Sequence, residues 1–118
     1  MYSPLAMDHF LRPRHVGKLA GPGVVSGVAT NTDCGDTARI TLRAAGGAVA
    51  EVAFASDGCA GAIAACSATA AWLAGKPLDD ARALDVATIE RLLAPWPDAK
   101  KGCTAMAVAA ARAALAQT

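Results

Sequence analysis

Apolar and polar side chains alternate along residues 38–44, which is the pattern of a β-strand with one buried face. Ile40 and Leu42 fall on one face of this segment, whereas Arg39, Thr41 and Arg43 fall on the other. The sequence therefore predicts a strand here whose Ile40 face packs against the core.

Two further strands are predicted on either side of this one. Residues 23–31 contain three valines and predict a strand before it. Residues 49–55 predict the third strand, with Val52 and Phe54 facing inward by the same alternation. A Gly-Gly pair at 46–47 supplies the turn of a hairpin between the second and third strands.

Helical patterns lie before and after the three strands. Ser3 and Pro4 predict a helix start, an N-cap followed by proline at the first helical position, and this helix runs to about Leu11. After Gly58 the apolar positions change to a 3.6-residue period, and Gly75 is a plausible C-cap for the long helix that follows. The positions that fit this period are Ile63, Ala70 and Leu73.

The rest of the chain is also predicted to be helical. Residues 77–93 predict one or two short helices, a Pro-Trp-Pro sequence at 95–97 makes a rigid break, and an alanine-rich helix runs from about Gly102 to Ala116. The inward positions expected for the short helices are Leu84, Val86, Ile89, Leu92 and Leu93. No internal repeat or linker divides the chain, so we expect residues 1–118 to form a single domain. Its predicted fold class is α+β, a three-stranded antiparallel sheet packed against helices.

Composition narrows the possible functions by exclusion. The net charge is +1 and no block of lysines or arginines is present, so nothing in the sequence indicates a nucleic-acid-binding surface. No run approaches the roughly 20 apolar residues of a membrane span, and the first residues lack the apolar segment of a secretory signal. We therefore expect a cytoplasmic protein with no membrane partner, whose cysteines stay reduced and bind metal or do chemistry rather than form disulfides.

Three of the four cysteines have glycine neighbours: Asp-Cys-Gly-Asp at 33–36, Asp-Gly-Cys-Ala-Gly at 57–61, and Lys-Gly-Cys-Thr at 101–104. Glycine lets the main chain turn sharply or approach a ligand closely, which a cysteine kept only for packing does not need. The first cysteine precedes an acid by two residues, and the other two stand where helical patterns begin. A helix N-terminus favours the thiolate that binds metal. We therefore expect Cys34, Cys59 and Cys103 to converge on one metal or one sulfur species.

Cys66 differs from the other three. It follows Cys59 by seven residues, about 10 Å along a helix axis at 1.5 Å per residue, so it cannot easily reach the same metal ion. We interpret Cys66 as a core residue.

At these residues the sequence resembles the iron–sulfur cluster assembly scaffold family, of the NifU N-terminal or IscU type, over almost its whole length. The resemblance rests on the three cysteine segments and on Pro-Arg-His-Val-Gly at 13–17, Asp-His at 8–9 and Gly-Lys-Pro-Leu at 75–78. It implies a SufE/NifU-like fold. It also implies a non-enzymatic scaffold that takes sulfur from a cysteine desulfurase, builds a [2Fe–2S] or [4Fe–4S] cluster and passes it to apo-proteins.

The same resemblance assigns the site residues. Cys34, Cys59 and Cys103 match the cluster-ligating cysteines, and Asp36 matches the aspartate associated with cluster lability. Thiolates are the natural ligands of iron–sulfur clusters. A carboxylate is a harder donor, and it should leave its corner of the cluster exchangeable.

Two positions depart from the family pattern. Gly102 stands where a histidine usually precedes the last cysteine, so that candidate ligand is lost or its role moves to Asp36, His9 or His15. We interpret both histidines as surface or hydrogen-bonded groups. The segment that a dedicated Hsp70 chaperone reads, Leu-Pro-Pro-Val-Lys, is matched by Trp-Pro-Asp-Ala-Lys at 96–100. This difference puts recognition by that chaperone in doubt.

The sequence leaves a second function open. A zinc-dependent sulfur acceptor or sulfurtransferase of the SufU type would hold zinc on the same cysteines and aspartate and accept persulfide sulfur on one thiolate. Three thiolates and a carboxylate suit tetrahedral zinc as well as a cluster. The insertion typical of that type is missing here, which favours the scaffold, although two lysines lie near Cys103. A divergent paralogue outside the general pathway is a weaker third interpretation.

Overall fold

The computed structural model describes residues 2–118, so Met1, the first residue of the predicted domain, lies outside it. Three strands are followed by helices, as the sequence pattern predicts. The elements are α1 (Pro4–Leu11), β1 (Val24–Asn31), β2 (Asp36–Ala45), β3 (Ala48–Ser56), α2 (Ala60–Leu73), α3 (Leu78–Ala81), α4 (Val86–Leu92), a 3₁₀ turn (Asp98–Lys100) and α5 (Lys101–Leu115).

The strands form one antiparallel sheet in the order β1-β2-β3. Asn31 at the end of β1 pairs with Asp36 at the start of β2, and Ser56 at the end of β3 pairs with Ala38. This register brings the loop between β1 and β2 and the end of β3 to the same end of the sheet. The chain leaves β3 there and enters α2 within four residues.

One face of the sheet packs against α2 and α5. Ile40 and Leu42 are fully buried on this face, and Val52 and Phe54 are almost so, as the alternation predicts. Gly27 of β1 faces α5 so closely that a Cβ at this position would lie 2.0 Å from the Ala110 carbonyl oxygen. The small residues of both elements therefore let the last helix lie almost directly on the sheet.

The opposite face of the sheet departs from the sequence pattern at Thr41. Its neighbours Arg39 and Arg43 are partly exposed, but Thr41 is buried. The segment before β1 runs past this strand: residues 15 and 17 form backbone hydrogen bonds with Phe54 of β3, and the Leu19 N–H donates to Thr41 Oγ1 at 3.0 Å. A buried hydroxyl is tolerated here because it has that partner.

The first helix begins where its capping signal places it. Ser3 Oγ accepts a hydrogen bond from the Ala6 N–H at 3.1 Å and donates to the Leu93 carbonyl at 2.9 Å, so one hydroxyl caps α1 and ties it to the end of α4.

Leu84, Ile89 and Leu93 are buried as predicted and Val86 partly so, but the inward position predicted for Leu92 is wrong: its side chain is 44% exposed. Leu92 ends a helix of seven residues that presents only part of its surface to the core. Within residues 2–118, no helix combines the length and apolar character needed to span a membrane.

Candidate metal centre

Four polar side chains come from four different elements at the end of the sheet where β1 ends and β2 begins. Cys34 lies in the loop between those strands, and Asp36 is the first residue of β2. Cys59 is the N-cap residue of α2, and Cys103 lies in the first turn of α5. Two helix N-termini, each with the positive end of its dipole, therefore meet the β1–β2 loop here.

These side chains are close enough to share a ligand. One atom each from Asp36, Cys59 and Cys103 all lie within 4.8 Å of one another. Cys34 is not part of that group of three, but its thiol donates to Asp36 Oδ2 at 3.1 Å. Two sulfurs bound to one zinc ion at about 2.3 Å would lie roughly 4 Å apart, so the three-residue group has the spacing of a metal centre. The structure thus brings all four residues that the sequence singles out to one place.

Glycine makes this approach possible at Gly58, the residue before Cys59. A Cβ at Gly58 would lie 2.9 Å from Asp36 Oδ2 and 2.4 Å from the Ala62 Cβ. Any side chain at position 58 would therefore push the carboxylate away from the thiols. In the β1–β2 loop, Gly35 has φ +74°, a left-handed conformation that brings Cys34 back over Asp36.

Lys100 supplies a positive charge to the site. Its Nζ lies 3.5 Å from Cys59 Sγ. The Trp96 indole Nε1 donates to the Lys100 carbonyl at 3.0 Å, and the Tyr2 ring packs against Trp96 with ring centroids 5.5 Å apart. The sequence shows a lysine near Cys103 but does not place it beside Cys59, because that contact crosses 41 residues of chain.

The three thiols differ in acidity. Partial burial alone would raise the pKa of Cys59, but the N–H groups of Ala62 and Gly61, the Lys100 ammonium and the Cys103 thiol together lower it. Burial, and then the neighbouring Cys59 charge, raise the pKa of Cys103 to about 12. Cys59 is therefore the readiest of the three to be a thiolate, and Cys103 would lose its proton only when a metal takes its place.

Cys34 is exposed to solvent, yet its thiol is also held in the protonated form. The hydrogen bond to the Asp36 carboxylate raises the pKa of Cys34. Cys103 is buried, whereas Cys34 and Cys59 are exposed and Asp36 is half-buried. A bound species would thus rest on Cys103 and face solvent on the Cys34 side.

Comparison with known proteins assigns the chain to a family. The family model described as the NifU-like N-terminal domain matches residues 1–117. The chain belongs to the NifU-like N-terminal domain family. The resemblance read from the cysteine segments is confirmed by this match.

Relatives and solved structures agree with this NifU-like assignment. The iron–sulfur cluster assembly scaffold protein IscU of Azotobacter vinelandii is 33% identical over 117 residues, covering 97% of this chain and 91% of the relative. The bifunctional protein NifU/MnmA of Rubrobacter xylanophilus is 37% identical over 102 residues, 85% of this chain, and this chain spans only 21% of it. The crystal structure of a nitrogen-fixing NifU-like protein (N-terminal) from Brucella abortus superposes with a TM-score of 0.74 at 20% identity, covering 98% of this chain and 92% of that one. That likeness confirms the predicted α+β fold.

His9 and His15 do not join the centre of this NifU-like domain. His9 is buried, and its Nδ1 lies 2.8 Å from the Ser67 hydroxyl, more than two turns into α2 from Cys59. His15 is exposed in the segment that precedes β1. The interpretation of both histidines as surface or hydrogen-bonded groups fits these positions.

Cys66 is a core residue, as the helical spacing predicts. Its side chain is fully buried between the sheet and the helices, and burial raises its pKa to about 12. We predict that Cys66→Ala costs about 1 kcal/mol of stability, because one buried heavy atom is removed from a close-packed core. The amount of zinc bound per chain should be unchanged. Denaturant unfolding measures the stability, and metal analysis measures the zinc content. A clear loss of zinc would show that Cys66 is one of the ligands.

Proposed function

We propose that this chain is a scaffold on which an iron–sulfur cluster is assembled and from which it is transferred to apo-proteins. The observation that carries the proposal is the convergence of Asp36, Cys59 and Cys103 within 4.8 Å, with the Cys34 thiol on the same carboxylate. The cluster is the cargo of the reaction. Cys34, Cys59 and Cys103 would hold it through sulfur, and Asp36 would hold or gate the remaining corner.

The graded burial of the ligands supports release as well as binding. Cys103 sits at the base of the site, while Cys34 and Cys59 stand at the surface and can be reached by an acceptor's thiolates. Asp36 adds a hard oxygen donor to a site otherwise made of soft sulfur, and iron bonded to sulfide holds such a donor weakly. A cargo bound in this way can be displaced by a site with four thiolates.

Lys100 suits the site before the cargo arrives. Its ammonium lies beside the Cys59 sulfur and stabilises the thiolate. This attraction offsets the repulsion between the thiolate and the nearby Asp36 carboxylate. The negative charge of Cys59 in turn raises the pKa of Lys100, so each group favours the charged form of the other. Lys100 therefore keeps Cys59 ready to bind iron or to accept sulfur.

The partners of this function follow from its chemistry. A cysteine desulfurase supplies the sulfur as a persulfide. An excess thiol such as free cysteine reduces that persulfide by attacking its inner sulfur, which forms a disulfide and releases the outer sulfur as sulfide. The finished cluster is consumed by apo iron–sulfur proteins. Both partners must reach the Cys34 side of the site, because the opposite side is closed by α2 and α5.

A second candidate function is the zinc-dependent sulfur acceptor. It is favoured by Cys59, an exposed thiol of lowered pKa beside a lysine, which is the environment of a reactive cysteine. In this chemistry the Cys59 thiolate attacks the outer sulfur of a donor persulfide. The donor's S–S bond breaks, its thiolate leaves, and Cys59 carries the persulfide. Zinc on the remaining groups would then be a structural or orienting ion.

Anaerobic reconstitution separates the two functions. The purified chain is incubated with ferrous iron, a cysteine desulfurase and cysteine, then desalted and analysed for visible absorbance, iron, sulfide and zinc. The scaffold proposal expects a coloured species with iron and sulfide in similar amounts, which disappears when an apo-ferredoxin is added and appears on that protein. A colourless chain that keeps zinc and carries persulfide would overturn it in favour of the sulfur acceptor.

We predict that Asp36→Ala still forms a cluster but transfers it roughly tenfold more slowly, the effect of about 1.4 kcal/mol on a barrier. Three thiolates remain, and the exchangeable oxygen corner is lost. The measurement is the rate at which absorbance moves to apo-ferredoxin. Asp33→Ala, an exposed acid of the same loop, is the matched control and should behave as the parent. If Asp36→Ala transferred its cluster at the parent rate, Asp36 would have no role in cluster release and would serve only as the hydrogen-bond acceptor of the Cys34 thiol.

A further inference from the structure

Gly102, the residue before Cys103, faces the side chain of Asn31. A Cβ at position 102 would lie 2.7 Å from Asn31 Nδ2 and 3.0 Å from its Oδ1. The first of these distances is shorter than real Cβ contacts, so no side chain fits at position 102 while Asn31 stays in place. The last residue of β1 thus rests directly on the main chain of the first turn of α5.

Asn31 is held in that position by two hydrogen bonds from the Cys34 loop. Its carbonyl accepts a hydrogen bond from the Gly35 N–H at 2.8 Å, and its Oδ1 accepts from the Asp33 N–H at 3.2 Å. Its backbone also pairs with Asp36 in the sheet. The same residue therefore shapes the loop that carries Cys34, aligns the strand that carries Asp36, and touches the turn that carries Cys103.

We propose that Asn31 is a positioning residue that joins the Cys34 loop to the Cys103 helix, and that Gly102 is its complement. While the Asn31 amide occupies this space, a side chain at position 102, and with it any further ligand, fits only if the amide is displaced. The centre is then limited to three sulfurs and one carboxylate. This inference rests on the proposed metal-binding role of the four residues and adds the element that sets their spacing and number.

The direction in which Gly102→Ala changes the stability distinguishes this role from that of a glycine with open space in front of it. Alanine is a better helix former than glycine, so Gly102→Ala should stabilise α5 if the space in front of it were open. With Asn31 in that space, the added methyl group must displace the amide. The displaced amide would lose the hydrogen bond that it accepts from the Asp33 N–H, which helps to shape the Cys34 loop. We expect a lower melting temperature and a site whose thiols no longer meet.

The test uses Co²⁺ and Zn²⁺ alone as probes, because the intensity of the sulfur-to-cobalt charge-transfer absorption reports how many thiolates bind the ion. Gly102→Ala is expected to weaken Zn²⁺ binding roughly tenfold, the lower end of the effect of changing a residue behind the ligands, and to reduce the charge-transfer band. Asn31→Ala should weaken binding less, because it removes the tether without adding a clash. The double variant Gly102→Ala/Asn31→Ala should bind better than Gly102→Ala alone.

That recovery is the decisive result, since a merely structural glycine would give additive losses. Thr32→Ala, an exposed residue of the same loop, is the control and should leave both readouts unchanged. Gly102→Ala with parental affinity and band intensity, or a double variant no better than the single one, would overturn the inference. A parent chain that binds neither ion through sulfur would instead overturn the proposed function, so the two failures are distinguishable.

Discussion

Cys59→Ala is expected to abolish stable cluster binding. Cys59 stands between the other ligands: its sulfur lies within 4.8 Å of both Asp36 and Cys103, and it has the Lys100 ammonium at 3.5 Å. It is also the thiol whose pKa is lowered, so it is the first thiolate available to iron. Replacing a residue that merely supports a ligand costs about 10–100-fold in metal affinity, and removing the ligand itself should cost more. The measurement is iron and sulfide retained after anaerobic reconstitution and desalting.

The fold of Cys59→Ala should be intact, which makes the result interpretable. Cys59 is exposed, and the stability of the chain should change by less than about 0.5 kcal/mol, as for other surface positions. Cys66→Ala is the matched control, a cysteine-to-alanine change in the same helical region that should keep its cluster. A Cys59→Ala chain that retains iron and sulfide like the parent would show that Cys59 is not a ligand.

Gly27→Ala is expected to destabilise the fold strongly, although it adds only one methyl group. The added Cβ would lie 2.0 Å from the Ala110 carbonyl oxygen, 2.5 Å from the Ala114 nitrogen and 2.9 Å from the Ala113 Cβ. The two closest atoms are backbone, so no side-chain rotation relieves the overlap and α5 must move off the sheet. Overpacking costs about 1–3 kcal/mol, and this case should reach about 3 kcal/mol or more. Thermal unfolding should show a melting temperature lower by about 10 °C.

Two companion variants test the cause of that loss. Val28→Ala alters the next residue of β1, whose side chain is 47% exposed on the other face, and should cost less than about 1 kcal/mol. Gly27→Ala/Ala113→Gly removes the side-chain contact but leaves the backbone overlap, so it should not restore stability. Full recovery in the double variant would mean that the helix backbone adapts and that only the Ala113 methyl group matters.

Gly27→Ala should also weaken metal binding, because α5 carries Cys103 and must move off the sheet.

Much of the fold was predictable because it depends on local patterns. The alternation at 38–44, the Gly-Gly turn at 46–47 and the Ser3-Pro4 helix start each involve neighbours in the sequence, and each has the structure predicted. The cysteine segments were informative for the same reason. Glycine beside cysteine reports a backbone constraint without knowledge of the rest of the chain. The sequence alone therefore determined the order of the elements and the candidate ligands Cys34, Asp36, Cys59 and Cys103.

The remaining features depend on contacts between distant parts of the chain. Thr41 is buried because the segment before β1 packs over it, and Lys100 reaches Cys59 because α5 packs beside α2. Gly102 shows the difference most clearly. In the sequence it marks only the absence of a usual histidine. In the structure, the side chain of Asn31, from the other half of the chain, fills the space in front of it. Periodicity and capping describe what a residue prefers beside its neighbours. Which groups share a surface is set by how the sheet and helices pack, and only the tertiary structure contains that information.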